Sequence, residues 1–294
     1  MYPAPFEYTR AESLAHALEL MGEHGDEARP LAGGMSLLPL LKLRLARPAW
    51  LVDIGRLDEL AGIADEDGAL GIGALTRHVT VAGDAAIRDR YPMVHDAIST
   101  VGDPQVRNQG TTGGSMSHAD PAGNWGPVSL AIGARMLCRS VRGERWVEAA
   151  DFYVDAYTTA LAPDEILARV ELPAFGGSGA YLALRRRVGD FALASVAVQL
   201  TLDAQGACGA VGIGLGAVGL TPIKAAEAET AMRGNAITDE LVGEAAELVY
   251  GAADPLEDVH GPVEYRRSAV RALFKRAVGI AVRRHGGEAV EMIA

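Results

Sequence analysis

VGDPQVRNQGTTGGSMSHADPA, residues 101–122, is the stretch on which the fold turns. From Gly102 to Gly126 the chain is studded with glycine and carries Pro104 and Pro121, in the middle of a sequence that is otherwise periodic. A Gly/Pro stretch of that length is a functional loop more often than an idle connector. Its centre reads Gly110, Thr111, Thr112, Gly113, Gly114, Ser115. Residues without a Cβ, hydroxyls and close-set backbone donors are what a phosphate needs around it. His118 and Asp120 follow closely, and the plain expectation for His118 is a local hydrogen bond.

Upstream, LAGGMSLLPLLKLR (31–44) repeats the logic. Pro30 and Leu31 run into Ala32, Gly33, Gly34, Met35 and Ser36, and a short helix is expected over 37–42. Consecutive glycines let N–H groups converge, and a helix start adds a positive dipole end, so the segment suits a pyrophosphate. Alone, a tight turn capped by Ser36 explains it as well. Two such loops in one chain point to a dinucleotide-like ligand held by both.

A third glycine cluster points elsewhere. Gly214-Leu215-Gly216-Ala217-Val218-Gly219 matches G-x-G-x-x-G formally, but in that fingerprint the helix begins among the glycines. Here Thr221 and Pro222 read as the cap and first position of a helix, which leaves the glycines in a strand. The match is therefore rejected.

Around these loops the spacing predicts a helix over 13–24 with Leu14, Ala17, Leu18 and Met21 inward, and a strand at 50–54. A hairpin about Gly68 follows, then a helix capped by Thr76, a helix over 93–101 and one over 128–132. Strands to 147, a helix at 149–153 and a strand at 165–172 that stops at Pro173 complete this part. Residues 175–179, Phe-Gly-Gly-Ser-Gly, read as a domain boundary. Beyond it come three antiparallel strands at 179–187, 194–202 and 210–218, and helices at 222–233, 239–251 and 265–285.

Composition narrows the classes. The chain has 294 residues, 49% hydrophobic and 5% aromatic, with a formal net charge of −11. That charge opposes nucleic acid or an anionic membrane as the main partner. Two cysteines, Cys138 and Cys208, cannot hold an iron–sulfur cluster, which takes about four thiolates, and no metal-ligand spacing occurs. There is no secretory start and no apolar run near the ~20 residues of a membrane span. The expectation is a cytoplasmic protein without an integral membrane segment. No P-loop, H-E-x-x-H or G-x-S-x-G is present, and no side chain stands out as a catalytic acid or base.

The two loops together with RRRVGDFALASVAV (185–198) resemble the FAD-binding medium subunit of molybdenum hydroxylases, of the aerobic carbon monoxide dehydrogenase and xanthine dehydrogenase FAD-subunit family. The resemblance covers nearly the whole chain. It implies an α+β fold with a vanillyl-alcohol-oxidase/PCMH-type FAD-binding domain in two subdomains, 1–56 and 57–175. A C-terminal domain, 176–294, would carry a three-stranded antiparallel sheet. FAD would lie between the subdomains, with Ala32, Gly33, Gly34, Met35 and Ser36 on one side of its diphosphate. Thr111, Thr112, Gly113, Gly114 and Ser115 would take the other side, and Gly110 and His118 would line the same site. Ile166, Leu167 and the segment 181–185, with Arg185, would approach the ring or adenine end.

Two departures stand out. Where the family has an acid in a D-P-A-A-D/E-L-P pattern, this chain has Asn124 followed by Trp125. An amide still accepts a hydrogen bond, without the charge that strengthens one. Where relatives often have a lysine, this chain reads Leu182-Ala183-Leu184. The implied role is electron transfer. A large subunit would hydroxylate substrate at a molybdenum cofactor, a small [2Fe-2S] subunit would carry the electrons, and FAD in this chain would pass them to an external acceptor. The complex would be a dimer of heterotrimers. The alternatives are a stand-alone FAD oxidoreductase and a flavin-free scaffold subunit.

Overall fold

The computed structural model describes residues 2–290; Met1 and residues 291–294, at the ends of the first and third expected units, lie outside it. The first unit runs β1 (Glu7–Arg10), α1 (Leu14–His24), β2 (Ala28–Leu31), α2 (Leu37–Lys42) and β3 (Trp50–Asp53). Its sheet is parallel in the order β1-β3-β2. The Ser13 hydroxyl accepts from the His16 N–H at 3.1 Å and so starts α1. Gly25, at φ +49, ends it. Leu14, Ala17, Leu18 and Met21 are all buried, as their spacing requires.

In the second unit, β4 (Ile63–Glu66) and β5 (Ala69–Gly73) form the hairpin about Gly68. Short helices follow: α3 (His78–Gly83), α4 (Ala85–Arg90), α5 (Pro92–Ser99), α6 (Pro104–Gln109), α7 (Thr112–His118) and α8 (Trp125–Ile132). The chain then makes β6 (Arg135–Ser140), β7 (Gly143–Glu148), α9 (Ala149–Phe152), the small ribbon β8 (Tyr153–Asp155) and β9 (Thr158–Thr159), and finally β10 (Ile166–Leu172). The main sheet is antiparallel in the order β4-β5-β10-β6-β7. Two expectations are corrected. The stretch 102–126 is not one loop, since Asp103 and Thr111 cap α6 and α7 within it. Thr76 caps nothing: its hydroxyl bridges the N–H and carbonyl of Gly62, each at 2.9 Å, and α3 starts after Arg77 with no side-chain cap.

The third unit comprises β11 (Ser178–Leu184), β12 (Ala194–Leu202), β13 (Cys208–Gly216), β14 (Ile223–Lys224), α10 (Ala226–Met232), α11 (Asp239–Ala252) and α12 (Val263–His285). Its antiparallel sheet has four strands, because the chain after β13 returns to pair Ile223 and Lys224 with Leu215 and Gly214. That return also displaces the expected helix start from Pro222 to Ala226. α12 lies along β11 and β12 over a core containing Phe274, Val278 and Ala281. The opposite face meets α8. A Cβ at Gly212 or Gly214 would run into the carbonyls of Ala131 and Pro127, so these glycines let the helix backbone settle on the strand. The GLGAVG segment is thus a packing stripe in and just after β13, and the rejection of a dinucleotide fingerprint holds.

A buried ion pair fastens the third unit to the second. The Arg284 guanidinium donates to both oxygens of Asp96, at 2.7 and 3.0 Å, and to the Gly179 carbonyl at 2.8 Å. Burial holds the Asp96 carboxyl above its ordinary range despite the arginine, so desolvation outweighs the pairing.

Candidate functional site

β2 delivers the first glycine loop at the carboxyl end of a parallel strand, where ligands of open parallel sheets bind. Gly34 takes φ +71, and Leu38 fills the space beside it. Among the described residues, the N–H groups of Gly33, Gly34, Met35 and Ser36 donate to no protein acceptor. The Ser36 hydroxyl makes no capping bond to α2 either. The segment is not sealed in the core, so these donors are open to solvent or to a ligand.

The second loop is built differently. The Gly110 N–H bonds the Val106 carbonyl at 2.7 Å, and the His78 N–H bonds the Gly110 carbonyl at 3.0 Å. The N–H groups of Thr112, Gly113 and Ser115 go to Thr76, Ala74 and Thr111 carbonyls at 2.8–3.0 Å, and that of Gly114 to the Thr111 hydroxyl at 3.2 Å. Thr111, Thr112 and Gly113 are buried, while Gly114 is exposed and Ser115 half-buried.

The loops meet across the unit boundary. A Cβ on Gly33 would overlap the Gln109 carbonyl and stand 3.1 Å from the Gly110 Cα, and one on Gly114 would reach 3.9 Å from the Ala32 Cβ. On the other side of Gly110 lies the His78 ring, with its Cδ2 3.0 Å from where a Cβ would sit. His78 is buried, and among the described residues its Nδ1 has no partner. Burial, helped by the Arg107 charge, pushes its pKa down to about 4, so it backs the loop as a neutral ring. Sequence reading passed over this histidine, whose only signal is a lone His in a helix start.

His118 ends α7, with Ala119 beyond it in the left-handed region at φ +50. Its Nε2 lies 3.9 Å from the Asp120 carboxylate, and its ring packs on Tyr157 at a centroid distance of 5.2 Å. Burial lowers its pKa against the opposing pull of Asp120. Ile166 and Leu167 begin the strand against which α7 rests. Both are buried, on cores at opposite faces of β10, so packing is all their side chains can present.

Asn124 and Arg185 come together in a separate polar cluster. Asn124 Nδ2 donates to the Ala97 carbonyl at 2.7 Å and to Thr100 Oγ1 at 3.2 Å, and its Oδ1 accepts from the Tyr181 hydroxyl at 3.1 Å. Arg185 Nη2 donates to the same Thr100 Oγ1 at 3.0 Å. The departure from an acid at 124 therefore has a local cause. A carboxylate would put negative charge against the Ala97 carbonyl with no proton to donate. Trp125 is fully buried in the second unit's core, and Leu182 is buried in the third's. Arg186 leads outward, 3.1 Å from His260 Nδ1.

Among the described residues no group of three or more His, Cys, Asp or Glu could hold a metal ion. Cys138 and Cys208 are buried free thiols. No helix among these residues is long and apolar enough to cross a membrane.

Comparison with known proteins gives this geometry a context. Residues 4–175 match the model of the FAD binding domain in molybdopterin dehydrogenase, and residues 179–281 match the CO dehydrogenase flavoprotein C-terminal domain. The glyceraldehyde dehydrogenase medium chain of Sulfolobus acidocaldarius is 39% identical over 94% of this chain and 98% of its own. The carbon monoxide dehydrogenase medium chain of Afipia carboxidovorans is 37% identical over 95% and 97%. A chain of the solved carbon monoxide dehydrogenase of Hydrogenophaga pseudoflava superposes with a TM-score of 0.94 at 36% identity, over 97% of this chain and 100% of that one.

Proposed function

The chain belongs to the FAD-binding medium-subunit family of molybdenum hydroxylases, and from that premise we propose that it is the electron-transfer subunit of such a complex. It is an oxidoreductase subunit with an FAD-binding domain. In our reading FAD takes electrons from a small [2Fe-2S] subunit and releases them to an external acceptor. The molybdenum cofactor sits in a large subunit, and the whole is a cytoplasmic dimer of heterotrimers. We read its units as 1–56, 57–175 and 176–294.

The contact between the two glycine loops carries this reading. The residues fit a diphosphate: Gly33 lets the first loop lie against the Gln109 carbonyl, Gly34 supplies its left-handed turn, and among the described residues the N–H groups of 33–36 face no protein acceptor. In the proposed arrangement residues 32–36 donate to the diphosphate from the first unit. Residues 110–115 close the other side, with Gly114 and Ser115 the parts open to a ligand, and Thr111, Thr112 and Gly113 holding their shape. His118 lines the same cleft, Ile166 and Leu167 support α7, and Asn124 and Arg185 steady the far end through Thr100. Bound there, FAD would supply one-electron acceptance and two-electron release, and the chain's task is to orient it and exclude competing reactions.

The test is an absorbance spectrum of the purified chain before and after incubation with excess FAD and desalting. Flavin bands retained near one per chain are expected. A chain that stays colourless both alone and in its co-expressed complex overturns the assignment.

A further inference from the structure

α2 is six residues long, five of them apolar, and it buries only Leu41 fully. Leu37 and Leu40 are half-buried, and the large apolar groups that face outward are Leu38 and those just beyond the helix. Leu38 is exposed, and Leu43 and Leu45 are 57% and 73% exposed. The turn that displays them is fixed. Arg44 sits in the left-handed region at φ +58, and the Leu45 N–H returns to the Leu40 carbonyl at 2.9 Å. Arg44 Nε also donates to the Tyr2 carbonyl at 3.2 Å, which brings a tyrosine of 85% exposure to the same place. Single exposed leucines are ordinary, but several on one short turn held by backbone hydrogen bonds mark an interaction surface.

The charge along this segment runs against that of the molecule. Residues 36–50 contain Lys42, Arg44 and Arg47 and no acid, in a chain of net charge −11. Among the described residues none of the three is paired with a carboxylate. An apolar centre with a cationic rim selects a partner with an apolar centre and an acidic rim. A lipid surface is disfavoured. Three cations fall short of the roughly 4–8 that hold a polybasic segment to anionic lipid, and the rest of the chain would be repelled.

We infer that the turn formed by α2 and residues 43–47 docks one of the partner subunits of the complex, through a face that is apolar at its centre and acidic at its rim. The inference rests on the reading of this chain as one subunit of a molybdenum-dependent complex. Ser36 lies both at the end of the cofactor loop and at the start of α2, so a subunit seated here adjoins the cradle.

The test uses the chain co-expressed with its cognate molybdenum-cofactor and iron–sulfur subunits. Leu43→Asp with Leu45→Asp is expected to lower recovery of the assembled complex at least tenfold. FAD content per chain should remain that of the unaltered protein, because neither residue belongs to the cradle. A second variant, Lys42→Glu with Arg47→Glu, is expected to slow assembly and to remove much of its sensitivity to salt. If the leucine variant assembles as well as the unaltered chain, the subunit reading stands and the surface falls. If the unaltered chain assembles with neither subunit, the subunit reading fails and the surface with it. Two further results also overturn the docking assignment: self-association of the isolated chain that the leucine variant abolishes, or leucine-dependent binding to vesicles of anionic lipid.

Discussion

Among the described residues, four backbone N–H groups in the loop 32–36 have no protein acceptor, whereas in the loop 110–115 those of Gly110, Thr112, Gly113, Gly114 and Ser115 are all bonded within the protein. The two segments look alike in composition, small residues with a hydroxyl at the end. Their hydrogen bonds separate their tasks: the first is free to receive a ligand, and the second is a wedge that fixes where the first can sit. Glycine-rich sequence shows that backbone must come close to something. Only the donor count shows whether that something is a ligand or the protein itself.

The largest effect should come from the point where the loops touch. Gly33→Ala places a methyl group against the Gln109 carbonyl, a clash of backbone that no side-chain rotation relieves. FAD affinity is expected to fall on the order of 1,000-fold, equal to about 4 kcal/mol, and the melting temperature of the FAD-free chain should fall as well, because the clash is present without the cofactor. Titration of flavin fluorescence against this variant measures it. An unchanged affinity would break the assignment of 32–36 as the receiving loop.

His78 offers a pH test of the wedge. In the unfolded chain its imidazole takes up a proton near pH 6.5, whereas in the folded one it does so only at about 4. Between those values the unfolded state binds more protons. The stability this histidine leaves intact above pH 6.5 is therefore lost as pH falls toward 4, by about 3 kcal/mol in all. His78→Gln, which cannot titrate, should flatten that part of the urea-unfolding profile against pH. An acid limb of unchanged slope would mean the ring is not held neutral against Gly110.

Gly113 tests the wedge from below. A Cβ there would press into Ala74, including its backbone, so Gly113→Ala should cost about 2 kcal/mol of stability, as overpacking does. Affinity for FAD per folded molecule should hardly move. The contrast with Gly33→Ala is the sharpest form of the comparison, because the same chemical change at two glycines is expected to strike binding at one and to spare it at the other.

Much of this was legible in the chain, and where it was not the reasons are local. The 13–24 helix, the hairpin about Gly68, the strand ending at Pro173 and the long helix near the C-terminus follow from periodicity and punctuation, and the structure has all four. Both glycine loops were visible. Their difference was not, because two of the acceptors for the second are carbonyls of residues 74 and 76, which no motif announces. Thr76 read as a helix cap because a hydroxyl before an apolar run usually is one, and a longer-range bond to Gly62 claimed it instead. β14 and the delayed start of α10 were hidden because two paired residues leave no alternation to read. The glycines of β13 misled in form only. Their purpose, to admit the backbone of α8, depends on a helix about 85 residues earlier in the sequence, beyond any local pattern.

The smallest expected effect bears most directly on whether the Thr111 hydroxyl touches the ligand. The Thr111 hydroxyl accepts from the Gly114 N–H and caps α7. Thr111→Val keeps the side chain's shape and the extended backbone that β-branched residues favour, and removes only the acceptor. Loss of a cap costs about 1 kcal/mol, so the melting temperature should fall by a few degrees. Affinity for FAD should stay within about threefold, since a net hydrogen bond is worth about 1 kcal/mol and this one is internal. The freed Gly114 N–H lies on the exposed side of the loop, where water can satisfy it. A tenfold loss of affinity at unchanged stability would reverse the reading, because the hydroxyl would then have been bound to the cofactor rather than to its own helix. In that case the second loop would be a receiving loop as well, and the division of labour drawn from the donor count would hold only for the chain without its cofactor.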